Sequence, residues 1–257
     1  MTSRCLSILS AVLIAAGALS CSDGEPAGEA DAGAAETGLA SPRLYVFDCG
    51  HLQVGDPGRF SLTMDEVSTL ELSVPCYLVE HAEGSLLWDA GLSDALAGQD
   101  ASPQTSGSVA TVTTTLRAQL AELGYEPADV TYIAMSHLHY DHAGNANDFA
   151  ASTWLVQRPE HEAAFSEDPA AYRFDPQYYG ALETAETVIL DGDHDVFGDG
   201  TVVIKSAPGH TPGHQVLFVD LAEYGPIVLS GDLYHFPESR SLKRVPTFNF
   251  DAEMTLE

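Results

Sequence analysis

Ser136-His137-Leu138-His139-Tyr140-Asp141-His142-Ala143-Gly144-Asn145 follows the apolar run Val130-Thr131-Tyr132-Ile133-Ala134-Met135. Six residues rich in β-branched and aromatic side chains predict a buried strand over 130–135. Three imidazoles and a carboxylate crowd just past its end. In extended chain, residues two apart point to the same side, so His137 and His139 can reach one cation together. Asp141 and His142 fall where Gly144 and Asn145 bend the chain, and can face a second position nearby. Neutral imidazole nitrogens with one carboxylate suit zinc or another first-row divalent ion better than calcium or magnesium, which prefer oxygen shells.

Two later stretches end in similar chemistry: Ser206-Ala207-Pro208-Gly209-His210-Thr211-Pro212-Gly213-His214 and Leu229-Ser230-Gly231-Asp232. Together with His-Leu-His-Tyr-Asp-His, which resembles an HxHxDH signature, they occur in the order found in the metallo-β-lactamase fold superfamily. The resemblance implies an α/β fold, an αββα sandwich of two mixed β-sheets. It also implies two divalent metal ions, zinc by preference. His210 then joins His137 and His139 on the first ion, while Asp141 and His142 hold the second and Asp232 bridges both. His214 matches a position that is not usually a ligand and is expected to form structural hydrogen bonds. Asp89, a carboxylate at a strand end before Gly91, is expected to orient the metal loop without touching metal. Paired cations about 3.5–4 Å apart share a hydroxide, lower its pKa towards neutrality and polarise a carbonyl, which suits acyl hydrolysis without a serine or cysteine nucleophile.

Within the superfamily the stretch from Leu44 to Glu257 resembles the N-acyl homoserine lactonase group most. Leu44-Tyr45-Val46-Phe47-Asp48-Cys49-Gly50, Val74-Pro75-Cys76-Tyr77-Leu78-Val79-Glu80-His81 and Gly231-Asp232-Leu233-Tyr234-His235-Phe236-Pro237-Glu238 carry that likeness besides the metal loop. The implied reaction is opening of a lactone ring by the bridging hydroxide. Such lactonases place a tyrosine three residues after the bridging aspartate. Here Tyr234 comes after two and His235 after three, so either is a candidate hydrogen-bond donor or general acid. Asp141, a ligand of the second ion, is the third catalytic candidate. A further late histidine ligand is absent, since none follows His235, and so are a closing strand and helix; the sequence is therefore expected to be truncated at its C-terminus. Two other readings stand beside the lactonase. One is a hydrolase of the same fold acting on another ester, a thioester or a β-lactam. The other is a non-catalytic surface lipoprotein.

The formal net charge of −28, with 38 acidic and 10 basic residues, excludes a polyanion-binding face and hence nuclease readings. Residues 1–21 read as an export signal, with Arg4 ahead of an apolar core from Ile8 to Leu19 that is too short to span a membrane comfortably. Ala18-Leu19-Ser20-Cys21 resembles a lipobox, which implies a lipid anchor on Cys21 and a periplasmic or cell-surface location. Residues 22–42 form an acidic tether, rich in Ala and Gly, that cannot bury enough apolar surface to order itself. The hydrolase domain is expected over 43–257, taking a small-molecule lactone or ester and no nucleic acid, and meeting membrane only through that anchor. Oligomeric state is not legible.

Other expectations are local. Cys49 and Cys76 read as buried free thiols, although export permits a disulfide. Residues 111–123 carry Val112, Leu116, Leu120 and Leu123 at helical spacing, with Gly124 as a stop. Residues 92–110 read as a loop. Residues 166–180, with Tyr172, Phe174, Tyr178 and Tyr179, read equally as a packed insertion or as a lid over an apolar pocket. Asp191-Gly192-Asp193-His194-Asp195 lacks the closing glutamate of a calcium loop and reads as a turn. His51, His81, His161 and His194 read as ordinary loop or surface histidines.

Overall fold

A computed structural model describes residues 42–104 and 106–257; the export signal expected over 1–21 and all but the last residue of the tether expected over 22–42 lie outside the described residues. The strands are β1 (Arg43–Val54), β2 (Glu71–His81), β3 (Gly84–Trp88), β4 (Ser102–Pro103), β5 (Ser108–Thr111), β6 (Tyr132–Ala134), β7 (Thr153–Gln157), β8 (Thr187–Leu190), β9 (His194–Asp195), β10 (Val202–Ser206), β11 (Gln215–Leu221) and β12 (Gly225–Leu229). Helices α1 (Leu116–Glu122), α2 (Tyr140–Ala143), α3 (Arg158–Ala164), α4 (Pro176–Tyr179), α5 (Pro237–Leu242) and α6 (Ala252–Leu256) are all short.

The strands form an eight-stranded sheet in the order β4-β5-β1-β2-β3-β6-β7-β8 and a four-stranded sheet in the order β12-β11-β10-β9. The first is mixed: β3, β6, β7 and β8 run parallel, and the hairpin β2–β3 is antiparallel as its Glu83-Gly84 turn predicts. The second is antiparallel throughout, where mixed pairing was expected. Its connections are short enough to reverse direction each time, so no crossover is required.

Alternation along the central strands explains the layering. On β3, Leu87 joins Leu78 of β2, Leu116 and Leu120 of α1 and Ala163 and Ala164 of α3. Leu86 and Trp88, on the opposite face, join Val79, Ala134 and Leu155 against Val202, Ile204, Leu217 and Val219 of the second sheet. A sheet buried on both faces is the physical content of strands that are apolar at every position. On α1, Leu116 and Leu120 are buried as the spacing requires. The helix begins only after Thr115, whose hydroxyl accepts from the Ala118 amide, while Thr111 belongs to β5, so the loop expected over 92–110 contains two short strands.

The free-thiol expectation fails, because Cys49 and Cys76 form a disulfide with their Cα atoms 5.8 Å apart. Phe47 pairs with Cys76, and the β1–β2 register slips between Asp48 and His51, so Cys49 sits in a bulge that turns it towards Cys76. Only Asp191 and Gly192 of the expected turn bend the chain, His194 and Asp195 instead forming β9 against β10, and the carboxylates of the run diverge. Asp191 pairs with Arg158, Asp193 with Lys205, and Asp195 accepts from the amides of Gly198 and Gly200.

Candidate metal centre

Every residue of the centre follows the C-terminal end of a strand. Asp89 follows β3, His137 to His142 follow β6, His210 follows β10 and Asp232 follows β12. Strand β6 is three residues long, shorter than the six expected, and the chain then runs extended through His139 into the single helical turn α2 that carries Asp141 and His142. Backbone holds this loop down: the Ala90 amide donates to the His142 carbonyl and the Gly144 amide to the Gly91 carbonyl. The approach is so close that a Cβ on Gly144 would stand 2.4 Å from backbone oxygen and nitrogen, which only glycine permits. Asn145 locks the same crossing, donating to the carbonyls of Ala90 and Leu92 and accepting from the Asp94 amide.

The proton positions follow from the partners of each ring. His139 Nε2 donates to the Tyr172 carbonyl at 3.3 Å and His210 Nδ1 to Asn249 Oδ1 at 2.9 Å. His137 Nδ1 lies 3.1 Å from Ser136 Oγ and donates its hydrogen bond to it. The remaining nitrogens, His137 Nε2, His139 Nδ1 and His210 Nε2, then carry bare lone pairs, and they converge: 2.8 Å from His137 to His139 and 3.1 Å from His139 to His210. Asp232 Oδ2 closes the figure, 3.7 Å from His137 Nε2 and 3.3 Å from His210 Nε2. Three lone pairs cannot satisfy one another, whereas a cation at their centre satisfies all of them. Bonds of about 2.0–2.1 Å in a tetrahedron place ligand atoms about 3.3 Å apart, and the observed separations bracket that value.

Asp232 reaches the other way too. Its Oδ1 lies 3.1 Å from His142 Nε2, while His142 Nδ1 donates to Asp89 Oδ2 at 3.1 Å. Asp89 also accepts from the Ser136 amide at 2.6 Å, so it orients the loop as expected. Asp141 lines the same cavity as His142, Asp232 and His235. Burial opposes charge on His142 most strongly, yet Asp232 and Asp89 still raise its pKa well above the ordinary histidine value. A field that holds a proton there favours a cation equally. Burial pushes His137 and His139 well below the ordinary value, and neighbouring imidazoles add to it, His142 and His139 for His137 and His210 for His139, which keeps both as neutral donors.

His214 behaves as the structural group expected. Its Nδ1 donates to the Ala207 carbonyl and its Nε2 accepts from the Asp232 amide, while burial lowers its pKa to about 3. Of the two candidates after Asp232, His235 is the one turned inward, with Nε2 2.8 Å from Asp232 Oδ2 and its ring against Phe60. Tyr234 is 46% exposed at the rim of the neighbouring cavity, under the Arg240 guanidinium. His51, His81, His161 and His194 take no part in the cluster. The 166–180 segment is both packed and cavity-lining: Phe174 and Tyr179 are core residues, while Arg173 and Phe174 face the cavity beside His139.

Sequence reading missed Glu160. It is buried on α3 and accepts from the Leu138 amide, the Gly213 amide and the Thr211 hydroxyl, tying the loops of His137–His139 and His210 together. Burial pushes its pKa up to about 7, against the pull of those hydrogen bonds. An apparently ordinary surface glutamate in a helix starting at a proline gives no local sign of this.

A Metallo-beta-lactamase superfamily model matches residues 69–256. The chain is 31% identical over 222 residues to an N-acyl homoserine lactonase of a Bacillus species, covering 83% of this chain and 84% of that one. It is 32% identical over 216 residues to N-acyl homoserine lactonase AttM of Azorhizobium caulinodans, covering 80% and 81%. Among solved structures it resembles an N-acyl homoserine lactone hydrolase with the product N-hexanoyl-L-homoserine bound at the catalytic metal center, at 30% identity and a TM-score of 0.71 over 85% of this chain and 86% of that one. The converging imidazoles and Asp232 fit divalent-metal binding in that setting, and the protein is a hydrolase. The chain belongs to the metallo-β-lactamase superfamily, in its N-acyl homoserine lactonase group.

Proposed function

We propose that the protein is a dinuclear, zinc-dependent N-acyl homoserine lactonase. The convergence of three unprotonated imidazole nitrogens on Asp232, beside an open cavity, carries the proposal. His137, His139 and His210 would hold one cation and Asp141 and His142 the other, with Asp232 touching both. When bound, such a pair polarises a lactone carbonyl and makes water nucleophilic near neutral pH. Water adds to the carbonyl carbon, the ring C–O bond breaks, and the departing oxygen takes a proton, giving the open N-acyl homoserine. His235 Nε2, next to Asp232 Oδ2, is placed to hold that proton and hand it to the departing oxygen. Tyr234 lines the neighbouring cavity, which shares Asp141, Asp232 and His235 with this one, and would contact a substrate that extends there.

Acid release from N-acyl homoserine lactones, compared with nitrocefin and S-lactoylglutathione, tests the substrate class. Lactones are expected to exceed both by at least about tenfold in kcat/KM, and comparable thioester turnover would overturn the reading. Elemental analysis should find two zinc ions per chain. We further propose export and lipid attachment at Cys21, which the Cys49–Cys76 disulfide supports because such bonds persist outside the reducing cytosol. Release of the Cys21→Ala protein from membranes is the expected result.

A further inference from the structure

The second face of the centre opens into a cavity of about 370 Å³ lined by His139, Asp141, Asp232 and His235 together with Arg59 and Arg173. Positive charge is scarce in this chain, with 10 basic residues against 38 acidic ones. Arg117, Arg158, Lys205 and Arg244 spend theirs on carboxylate partners. Arg59 and Arg173 form no ion pair among the described residues, and both line a cavity that reaches the metal cluster.

Their placement is built. Both guanidinium groups lie against the Phe248 ring, at 5.2 Å and 4.6 Å from its centroid, and that ring sits 5.9 Å from His210 and 6.0 Å from His235. The Arg59 carbonyl accepts from both the amide and the hydroxyl of Thr247, which fixes Phe248 beside it. Arg173 adopts a left-handed backbone, φ 64°, unusual for a residue with a side chain. Its neighbour Tyr172 is anchored through its carbonyl to the His139 ring. Burial, then the charge of Arg59, lowers the basicity of Arg173, so the two cations feel each other across the cavity. Asp141, in the same cavity, acts on Arg173 without forming an ion pair with it, and on the lactonase reading its charge is engaged by metal. Two like charges held together without an ion-pair partner beside a substrate cavity suit an anion from outside, and guanidinium offers a carboxylate two parallel hydrogen bonds.

Resting on the lactonase reading, we propose that Arg59 and Arg173 bind a carboxylate on the acyl part of the substrate. The preferred lactones are then homoserine lactones acylated by a dicarboxylic acid through one of its two carboxyl groups.

Matched pairs test this on the metal-loaded enzyme: N-succinyl against N-butanoyl, N-glutaryl against N-pentanoyl, and N-adipoyl against N-hexanoyl homoserine lactone. At low salt at least one carboxylated member is expected to exceed its neutral partner about tenfold in kcat/KM, mainly through KM, with the ratio shrinking as salt screens Arg173, the more exposed of the two. In Arg59→Gln and Arg173→Gln the ratio should fall towards one, with Arg173→Lys intermediate. Neutral members turned over as well as or better than every carboxylated partner, or an unchanged ratio in both Gln variants, would overturn the proposal. If no lactone is opened, the lactonase reading is what fails. The anion subsite then stands or falls on calorimetry with hexanedioate, whose affinity should drop at least fivefold in Arg173→Gln and is decisive against the subsite if it does not change.

Discussion

Glu160 accepts every hydrogen bond it makes and donates none. Its two oxygens receive the Leu138 amide on one side and the Thr211 hydroxyl and Gly213 amide on the other. In Glu160→Gln one oxygen becomes an NH₂ that faces a donor, leaving buried groups unpaired at a cost of about 1–3 kcal/mol. The carboxyl also titrates. Its folded pKa of about 7 lies above the ordinary glutamate value of 4.5, so the folded chain binds the proton more tightly. The contribution is fully present below about pH 4.5 and is lost as pH rises to about 7, by up to ~3 kcal/mol. Denaturant melts across that window should show a falling slope in the native protein that Glu160→Gln lacks. Equal slopes would contradict the assignment.

The disulfide belongs to the scale of a strand pair. It closes a separation of 27 residues between β1 and β2, which in the chain-entropy view is worth roughly 3–4 kcal/mol. A Cys49→Ala/Cys76→Ala protein should be destabilised by about that amount in urea, and dithiothreitol should lower the native protein to the same level while leaving the variant unmoved. Elements also mark where sequence reading succeeds and fails. His137 and His139 are legible as a converging pair because residues two apart in extended chain share a side, whereas Asp141 and His142, on the helical turn α2, line the adjoining cavity outside the four converging atoms. The core faces of β3 and α1 are legible because alternation and helical spacing are local. The disulfide is not, because in regular pairing Cys49 would stand away from Cys76, and only the irregularity between Asp48 and His51 joins them. Glu160, Arg59 and Arg173 are equally silent: each acquires its role from partners far along the chain, as with Glu160 and Thr211, 51 positions apart. The 166–180 segment stayed open between packing and cavity for the same reason, since Phe174 does both.

At the scale of the whole molecule, the donors come from both sheets. Of the converging donors, His137 and His139 leave the eight-stranded sheet, and His210 and Asp232 leave the four-stranded one. Cations held between them stabilise the folded state by mass action, about 4 kcal/mol when free metal stands a thousandfold above Kd. Removing metal with a chelator should therefore lower the melting temperature by roughly 10 °C, recoverable by adding zinc, as scanning calorimetry can record. No shift would mean that the centre holds no ion. Besides the ligands, Gln215 at the start of β11 donates from its amide to the Ser136 carbonyl and from its side chain to the Met135 carbonyl. That single glutamine aligns the two halves of the donor set like a dowel. A change that slides one layer against the other by a fraction of an ångström, however remote from the pocket, would register first as a different choice of ion.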